Sequence, residues 1–413
     1  LEVNSSCDYL IVGAGIIGLT VAWELRKRDP LVKITILEKE PTVGLHASGR
    51  NSGVLHSGIY YGSDTLKAKV CSSGAKKMQE FANEHGIDCN KSGKVIIATS
   101  ENDLITIDKL IRNASENGII AEKLNEQEVK EIEPYASPYQ AGIHSPETAV
   151  IDSKSVIKKL YSLLQDKNVV FKFNSPLLAQ DKENRIVTTL KEKISYGYLY
   201  NCAGANADRI AKMFGKGLNY TMVPFKGIYY KLSPERNYLV NSSIYPVPDI
   251  KLPFLGVHLT RVINGDVYVG PTAIPAFGRE NYGILNGIEL GEGFKIGSEL
   301  VSMYWKNQGN FRLLMHTEMK KYLKPWFVKS AQKLVSDLKS EDLIPSSKVG
   351  IRPQLINIKT KSIEMDYIIE QTEHSMHILN SISPAFTSAF SFSELIVDQL
   401  DKPKPFMKNV NFK

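Results

Sequence analysis

The sequence predicts an α/β protein built from two sheet-centred units, on three observations. The chain has 413 residues, more than the roughly 250–300 that one core usually serves. Residues 9–38 read as strand, glycine-rich turn, helix, strand and terminal acid, which is the local order of a Rossmann-like nucleotide-binding unit. Between residues 223 and 270 short β-type runs follow one another, predicting a mainly antiparallel sheet in a second, α+β unit.

Composition sets the outer limits. Hydrophobic residues make up 43 % and charged residues 23 %, which excludes a disordered chain, a collagen and a coiled coil. No apolar run reaches the roughly 18 residues of a spanning helix. The formal charge of +7 permits contact with an anionic membrane or an acidic substrate and does not call for nucleic acid. Cys7, Cys71, Cys89 and Cys202 form no C-x-x-C pair, so neither a zinc ribbon nor a redox dithiol is expected, and no metal site. The chain opens on Leu1 rather than Met; a removed leader and a cloning scar would each produce that.

The N-terminal elements follow in order. Tyr9–Val12 is a short apolar run that fits a buried strand. Gly13-Ala-Gly15-Ile-Ile-Gly18 follows at once, and Leu19–Arg26 then has helical spacing until Asp29-Pro30 stops it. Lys33–Leu37 is a second strand, ending at Glu38. Gly13 permits the tight turn, Gly15 lets backbone approach a pyrophosphate, and Gly18 lets the helix pack close to the strand. Ile17 lies in the glycine turn leading into the helix, whose N-terminal N–H groups and partial positive charge suit phosphate. Glu38 stands where an acid accepts hydrogen bonds from a ribose, with Lys39 beside it. A lone glycine motif is weak; this one sits in the context that gives it meaning.

Residues 44–58 have neither helical nor strand period. Gly49, Gly53 and Gly58 allow close backbone approach, and Ser48, Asn51 and Ser52 offer hydrogen bonds, with Val54 following. A flexible surface loop is the bland reading. The two histidines His46 and His56 and the pair Tyr60-Tyr61 favour a functional loop beside the nucleotide.

Further along, Met78–Gly86, Glu101–Asn117, Glu126–Glu133 and Ser153–Leu164 read as helices, the last capped by Asp152. Lys94–Thr99, Val169–Phe173, Arg185–Leu190 and Tyr198–Cys202 read as strands, as do Gly227–Leu232, Gly256–Leu259 and Val267–Val269. Phe311–Leu338 is helical and basic, with Pro325 expected to kink or break it. Its lysines make either a solvated face or, with the interleaved Leu, Trp and Phe, a membrane-surface contact. His377–Asn380 is a strand and Ser393–Leu400 the last helix.

A resemblance becomes specific at His46–Tyr61 and Leu66-Lys-Ala-Lys-Val-Cys71. It continues through Gly93–Thr99, Asn201–Asp208, Tyr245-Pro-Val-Pro-Asp249, Pro253–Arg261, Val269–Ala273, Gly350-Ile-Arg-Pro-Gln354 and His377–Ser388. Together, in this order, these segments resemble the L-2-hydroxyglutarate dehydrogenase/oxidase family, part of the D-amino-acid-oxidase-like group of FAD enzymes. The resemblance implies an FAD domain assembled from residues 1–88, 148–219 and 346–413, interleaved with a substrate domain from 89–147 and 220–345. It implies FAD as cofactor, with the turn at Ala203 and Gly204, the strand at Arg352 and the turn at Pro384, Ala385 and Thr387 near it. Two departures stand out. Ala47-Ser48 and Arg50 replace an amide–threonine pair and a histidine usual in relatives, and Phe386 and Phe390 add bulk near the last turn. These leave the substrate open to a related 2-hydroxy acid or a specialised metabolite.

Oxidising a secondary alcohol removes a hydride from carbon and a proton from oxygen. A flavin accepts the hydride; a histidine is the usual base. His377, His56 and His258 lie in matching segments, with His377 and His56 ranked ahead of His258. Nothing in the spacing calls for a covalent histidyl–flavin bond at His46 or His56. A dicarboxylate needs cations, for which Arg352 leads, followed by Lys67, Lys69 and Arg261. Lys67 and Lys69 would share a face on a strand and diverge on a helix. Tyr60, Tyr61 and Tyr229 are candidates to line the site.

The leading expectation is therefore FAD-dependent oxidation of L-2-hydroxyglutarate or a close 2-hydroxy acid, with oxygen, a quinone or a carrier flavoprotein as electron acceptor. Amine or amino-acid oxidation on the same scaffold and a non-enzymatic dinucleotide-binding protein are the alternatives. The expected location is cytoplasmic or peripheral to the inner membrane for a bacterial chain, and mitochondrial for a eukaryotic one.

Overall fold

The computed structural model describes residues 3–249 and 254–399. Its first sheet has eight strands, and its centre is parallel. Val170–Lys172, Ile34–Leu37, Val3–Val12, Lys193–Asn201 and Ser375–Ile378 lie side by side in that order. Leu10 and Ile11 are both fully buried although they point to opposite faces, as a parallel sheet covered on both sides requires. The helix Ile16–Arg28 starts directly after the glycine turn. It packs against the sheet through Leu19, Ala22 and Leu25. Gly18 is what allows this: a Cβ there would lie 1.9 Å from the Gly13 carbonyl oxygen.

The second sheet has nine strands. Tyr220–Leu232 and Leu343–Asn357 pair antiparallel over nearly their whole length. Val267–Gly270, His258–Arg261, Ser243–Pro246, Val95–Ile97, Ala141–His144 and Glu122–Asn125 continue outward in that order. Every pairing is antiparallel except Ser243–Pro246 against Val95–Ile97. Strands of the first sheet thus come from residues 3–37, 170–201 and 369–378, and those of the second from 95–144 and 220–357. A boundary at 346 cuts the strand Leu343–Asn357, so residues 346–357 sit in the second sheet rather than with the first unit.

The loop between residues 276 and 290 crosses back to the first unit. Arg279 is buried there, in a bidentate ion pair with Asp208 and a contact of 2.7 Å with Glu292. A buried Arg between two carboxylates is matched in charge and hydrogen bonds, which removing either partner would undo.

Some elements differ from the sequence expectation. The helix Leu66–Glu84 starts a dozen residues before Met78. The expected helix 311–338 is two helices, Phe311–Lys320 and Lys324–Gln332. Pro325 falls in the first turn of the second, where a missing N–H costs nothing. The helix Leu290–Lys306 escaped because Gly291, Gly293 and Gly297 depress its propensity. The last helix runs Ala385–Asp398, eight residues ahead of its expected start at Ser393; Leu400, its expected end, lies outside the described residues, as do Pro253 and residues 400–413. This helix is buried almost all round, so it has no polar face to reveal its period. It meets the helix Leu66–Glu84 at Gly74, where a Cβ would lie 2.5 Å from the Ser388 Cα.

Candidate active site

One cavity of about 1540 Å3 runs between the two units. It exceeds the roughly 300–1,000 Å3 of ordinary small-molecule pockets, as a dinucleotide and a substrate together require. At one end lie Gly13, Gly15, Ile17, Glu38 and Lys39; at the other, Tyr229, Tyr245, His258 and Arg352.

The first end is a cradle for phosphate and ribose. Gly13 has φ +107°, and a Cβ there would lie 2.5 Å from the Cys202 carbonyl oxygen. Gly15 caps the helix Ile16–Arg28 without a side-chain hydrogen bond, which leaves N–H groups of the first turn open to an anion. Ser48 Oγ accepts from Ile16 N at 2.9 Å and so holds the 44–53 loop at that helix end. Glu38 accepts from Ala14 N at 2.8 Å and Glu40 N at 3.0 Å, which fixes its carboxylate at the cavity wall. Asn51, Ser52, Val54, Ala203, Gly204, Pro384, Ala385 and Thr387 also line the cavity. Gly53 and Gly18 do not; Gly53, at φ +76°, shapes the loop, and Gly18 serves helix packing. The N-terminus of the helix Ala385–Asp398, uncapped by a side chain, opens on the same space. These residues fit FAD: glycine backbone for the pyrophosphate, a fixed acid for the ribose, a helix end for negative charge further along.

Lys39 bridges Glu40 and Glu280 and reaches His46 Nε2 at 3.0 Å. His46 Nδ1 lies 2.8 Å from Tyr282 Oη. Arg50, one of the departures, sits 4.0 Å from the Tyr282 ring centre, so the 276–290 loop is held to the cofactor loop by stacked and charged contacts. Of the added phenylalanines, Phe386 lines the cavity and Phe390 packs into the core.

Of the three candidate histidines, two reach the cavity. His258 Nδ1 lies 2.8 Å from the Gly256 carbonyl oxygen, and its ring stacks on Tyr245 at 3.9 Å with planes 17° apart. A carbonyl only accepts, so the proton is on Nδ1 and Nε2 keeps its lone pair. His56 also lines the cavity, and its Nδ1 has no hydrogen-bond partner. Burial pushes both rings down to about 3, with Lys94 adding to the effect on each and Arg352 on His258. Both are therefore neutral, the state a base needs.

His377 is not at the cavity. It is fully buried on the strand Ser375–Ile378, between Asn201 Nδ2 at 3.2 Å and Ser375 Oγ at 2.9 Å, against Phe214. Its ranking as first base is corrected: the strand turns that side chain into the core, and only the chain beyond it, from Ser381, meets the cavity. Arg261 is likewise misplaced. Its guanidinium is spent on the carbonyls of Val240, Asn237 and Gly265, away from the cavity.

Arg352 pairs in register with Phe225, donates to the Thr272 carbonyl at 3.2 Å and lines the cavity with its remaining donors. Lys67 and Lys69 stand on the helix Leu66–Glu84 and diverge. Lys67 is buried at the cavity wall, 5.6 Å from the Tyr61 ring centre, and burial pushes it down to about 8 against the pull of Asp366. Lys69, also on the wall, is exposed. Tyr60, Tyr61 and Tyr229 line the space. Sequence reasoning missed Tyr245, whose stacking role depends on a partner thirteen residues away. It also missed Asp366, which accepts from Leu66 N and Lys67 N at 2.7 and 3.1 Å and anchors that helix end.

A dinucleotide cradle opening onto a chamber of histidine, arginine and lysine defines a flavin-dependent oxidoreductase, and the chain belongs to the FAD dependent oxidoreductase (DAO) family, whose family model matches residues 8–399. Within it, the chain falls with enzymes acting on one substrate. It is 35 % identical over 400 residues to the L-2-hydroxyglutarate dehydrogenase of Indibacter alkaliphilus, covering 94 % of this chain and 97 % of that one. It is 33 % identical over 427 residues to the mitochondrial L-2-hydroxyglutarate dehydrogenase of Bos taurus, covering 97 % and 89 %. An FAD-bound L-alpha-glycerophosphate oxidase from Mycoplasma pneumoniae shares the fold, with TM-score 0.74, 23 % identity and coverage of 98 % and 97 %.

Proposed function

We propose that this chain oxidises L-2-hydroxyglutarate to 2-oxoglutarate. One observation supports the reading above others: a histidine of fixed tautomer and two carboxylate-binding cations, Arg352 and Lys67, share a chamber with the cofactor cradle. FAD, when bound along that cradle, supplies the acceptor for the hydride leaving C2. The chain's own residues do the rest. Arg352 takes one carboxylate with its free donors and Lys67 the other. The Nε2 of His258 receives the hydroxyl proton, and Tyr245 holds the ring in plane while it does so. His56 stands beside it as a second neutral imidazole. The bound dianion favours the imidazolium that Arg352 and Lys94 otherwise disfavour, so proton acceptance is coupled to correct substrate binding. An amine substrate would need no such base. The reading is tested with purified holoenzyme and an artificial acceptor: L-2-hydroxyglutarate should yield 2-oxoglutarate mole for mole, and turnover of an amino acid in its place would overturn it.

Contact with a membrane surface is part of the same proposal, with a quinone as electron acceptor. No described helix is long and apolar enough to cross a membrane. The helix Leu290–Lys306 nevertheless turns Leu290, Phe294, Val301 and Trp305 outward, 89 %, 83 %, 57 % and 73 % exposed. At 100° per residue these four fall within about 60° of one another. Ile296, Leu300 and Met303 fill the opposite, buried face. Ile284, Leu285, Leu313 and Leu323 are exposed on neighbouring segments, and Lys320 and Lys329 flank the half-exposed Trp326 at 5.1 and 5.2 Å. Apolar side chains rimmed by lysine suit an anionic bilayer. Part of the basic stretch has other duties: Lys321 pairs with Glu318, and Lys324 donates to the Leu343 carbonyl.

A further inference from the structure

Behind the wall of the chamber lies a cation that the reaction scheme has not used. Lys94 immediately precedes the strand Val95–Ile97 and is fully buried, yet no carboxylate among the described residues pairs with it. Its ammonium is 3.2 Å from Tyr60 Oη and sits 4.6 and 5.0 Å from the ring centres of Tyr60 and Tyr245. Tyr60 lines the cavity; Lys94 does not. Tyr245 in turn stacks on His258. A buried, unpaired ammonium is costly unless something offsets it, and among the described residues two π-faces and one hydroxyl do so here.

The geometry points to Lys94 as a positioning residue for substrate: by donating to Tyr60 Oη it obliges Tyr60 to turn its own O–H toward a carboxylate in the chamber. A lysine ammonium has three donors and no acceptor, so while it is charged Tyr60 Oη can only accept from it. The hydroxyl proton is then left for the substrate. The same charge attracts the dianion through the wall, and the dianion raises the affinity of Lys94 for its proton. Burial pushes Lys94 down to about 7, so near neutral pH it is partly uncharged and has a proton to gain on binding. The titratable and charged groups around it are His56 and Tyr60 on the cofactor loop, Cys71 on the helix Leu66–Glu84, Tyr245 and His258 on the second sheet, and Arg352 beyond His258. Cys71 is held protonated by burial, and its thiol donates to the His56 carbonyl. The histidines lie far below neutral and Lys67, pushed down to about 8, is mostly charged at pH 7, so Lys94 is the group closest to half-protonation.

This inference rests on the 2-hydroxy-acid reading, and its test separates the two. Binding of 2-oxoglutarate to the holoenzyme is measured calorimetrically near neutral pH in buffers of different ionisation enthalpy, for wild type, K94M, Y60F and K94M/Y60F. Wild type should take up a fraction of a proton on binding. K94M should bind at least tenfold more weakly and lose most of that uptake. Y60F should weaken binding similarly while keeping the uptake, and the double variant should be little worse than either single one. Wild-type affinity in Y60F, or wild-type affinity with unchanged uptake in K94M, overturns the assignment; should K94M not fold, Y60F alone decides it. If wild type itself binds neither 2-oxoglutarate nor L-2-hydroxyglutarate, the substrate reading falls and carries this one with it.

Discussion

The Nδ1 of His258 lies 2.8 Å from the carbonyl oxygen of Gly256, two residues back along the same chain. That single bond decides which ring nitrogen is basic. With the proton held on Nδ1, Nε2 is the free lone pair, and the Tyr245 stack prevents the ring from turning it away. In the proposed reaction the base is thus prepared by backbone geometry rather than by a partner carboxylate. This suits a chamber whose substrate brings two carboxylates of its own.

Replacing the three histidines singly by Gln should separate base from scaffold. H258Q should slow flavin reduction by roughly 10²–10⁴-fold. H56Q should act more weakly, since its ring has no hydrogen bond to fix it. H377Q should leave the reduction rate of folded enzyme within about twofold. Anaerobic stopped-flow absorbance gives all three rates.

His377 should instead appear in stability. Asn201 Nδ2 donates to Nδ1 while also donating to the Ala207 carbonyl, so the ring is locked neutral and burial pushes it down to about 3. The unfolded chain binds a proton there below about 6.5 that the folded chain refuses. Stability from this site is therefore full above about 6.5 and falls as pH drops toward 3, by about 2 kcal/mol at pH 5. Urea unfolding between pH 7 and pH 5 should show a loss in wild type that is smaller in H377Q by that amount.

Carboxylate recognition should divide between Arg352 and Lys67. A charge-assisted bond contributes about 1.5–3 kcal/mol, so R352M and K67M should each raise KM or the product Kd by about 10- to 150-fold. R352K should rescue only part of this, since a lysine cannot reproduce a two-pronged grip. Initial-rate kinetics across a series of mono- and dicarboxylic 2-hydroxy acids checks it, with K67M narrowing the gap between the two classes.

How much of this was legible depended on whether function acts through local backbone or through packing. The turn Gly13–Gly18 with Glu38 was readable because a pyrophosphate dictates the backbone of a few consecutive residues. Arg261 shares a strand with His258, yet three residues apart on a strand means opposite faces, and a motif match does not say which face is inside. His377 failed for the same reason. Lys94 looked like an ordinary polar residue at a strand start; only the pairing of Val95–Ile97 with Ser243–Pro246, which brings Tyr245 beside it, and the loop carrying Tyr60 bury it. The strand Leu343–Asn357 carries Pro345, Ser346, Ser347 and Pro353, poor strand formers that pairing with Tyr220–Leu232 overrides.

Cofactor retention should depend on two glycines far apart in sequence. G18A places a methyl against the Gly13 carbonyl, and G74V places a branched chain against the backbone at Ser388. Each should lower the flavin content of purified protein, the first by spreading the phosphate turn and the second by moving the helix Ala385–Asp398. The ratio of flavin to protein absorbance reads it out.

The exposed face of the helix Leu290–Lys306 should bind vesicles containing anionic lipid. F294S/W305S should abolish flotation with such vesicles while leaving reduction of the flavin by substrate unchanged. Wild-type protein that stays in the dense fraction at low salt would contradict a membrane contact.

The central claim is that this chamber takes a hydride from a 2-hydroxy dicarboxylate with His258 as base. Anaerobic addition of L-2-hydroxyglutarate to the yellow holoenzyme tests it most directly. The account predicts full bleaching of the visible flavin band in wild type, bleaching slowed by at least about 10²-fold in H258Q, and none with the D enantiomer. A flavin that stays yellow with L-2-hydroxyglutarate but bleaches with an amino acid, or bleaches as fast in H258Q as in wild type, would contradict it.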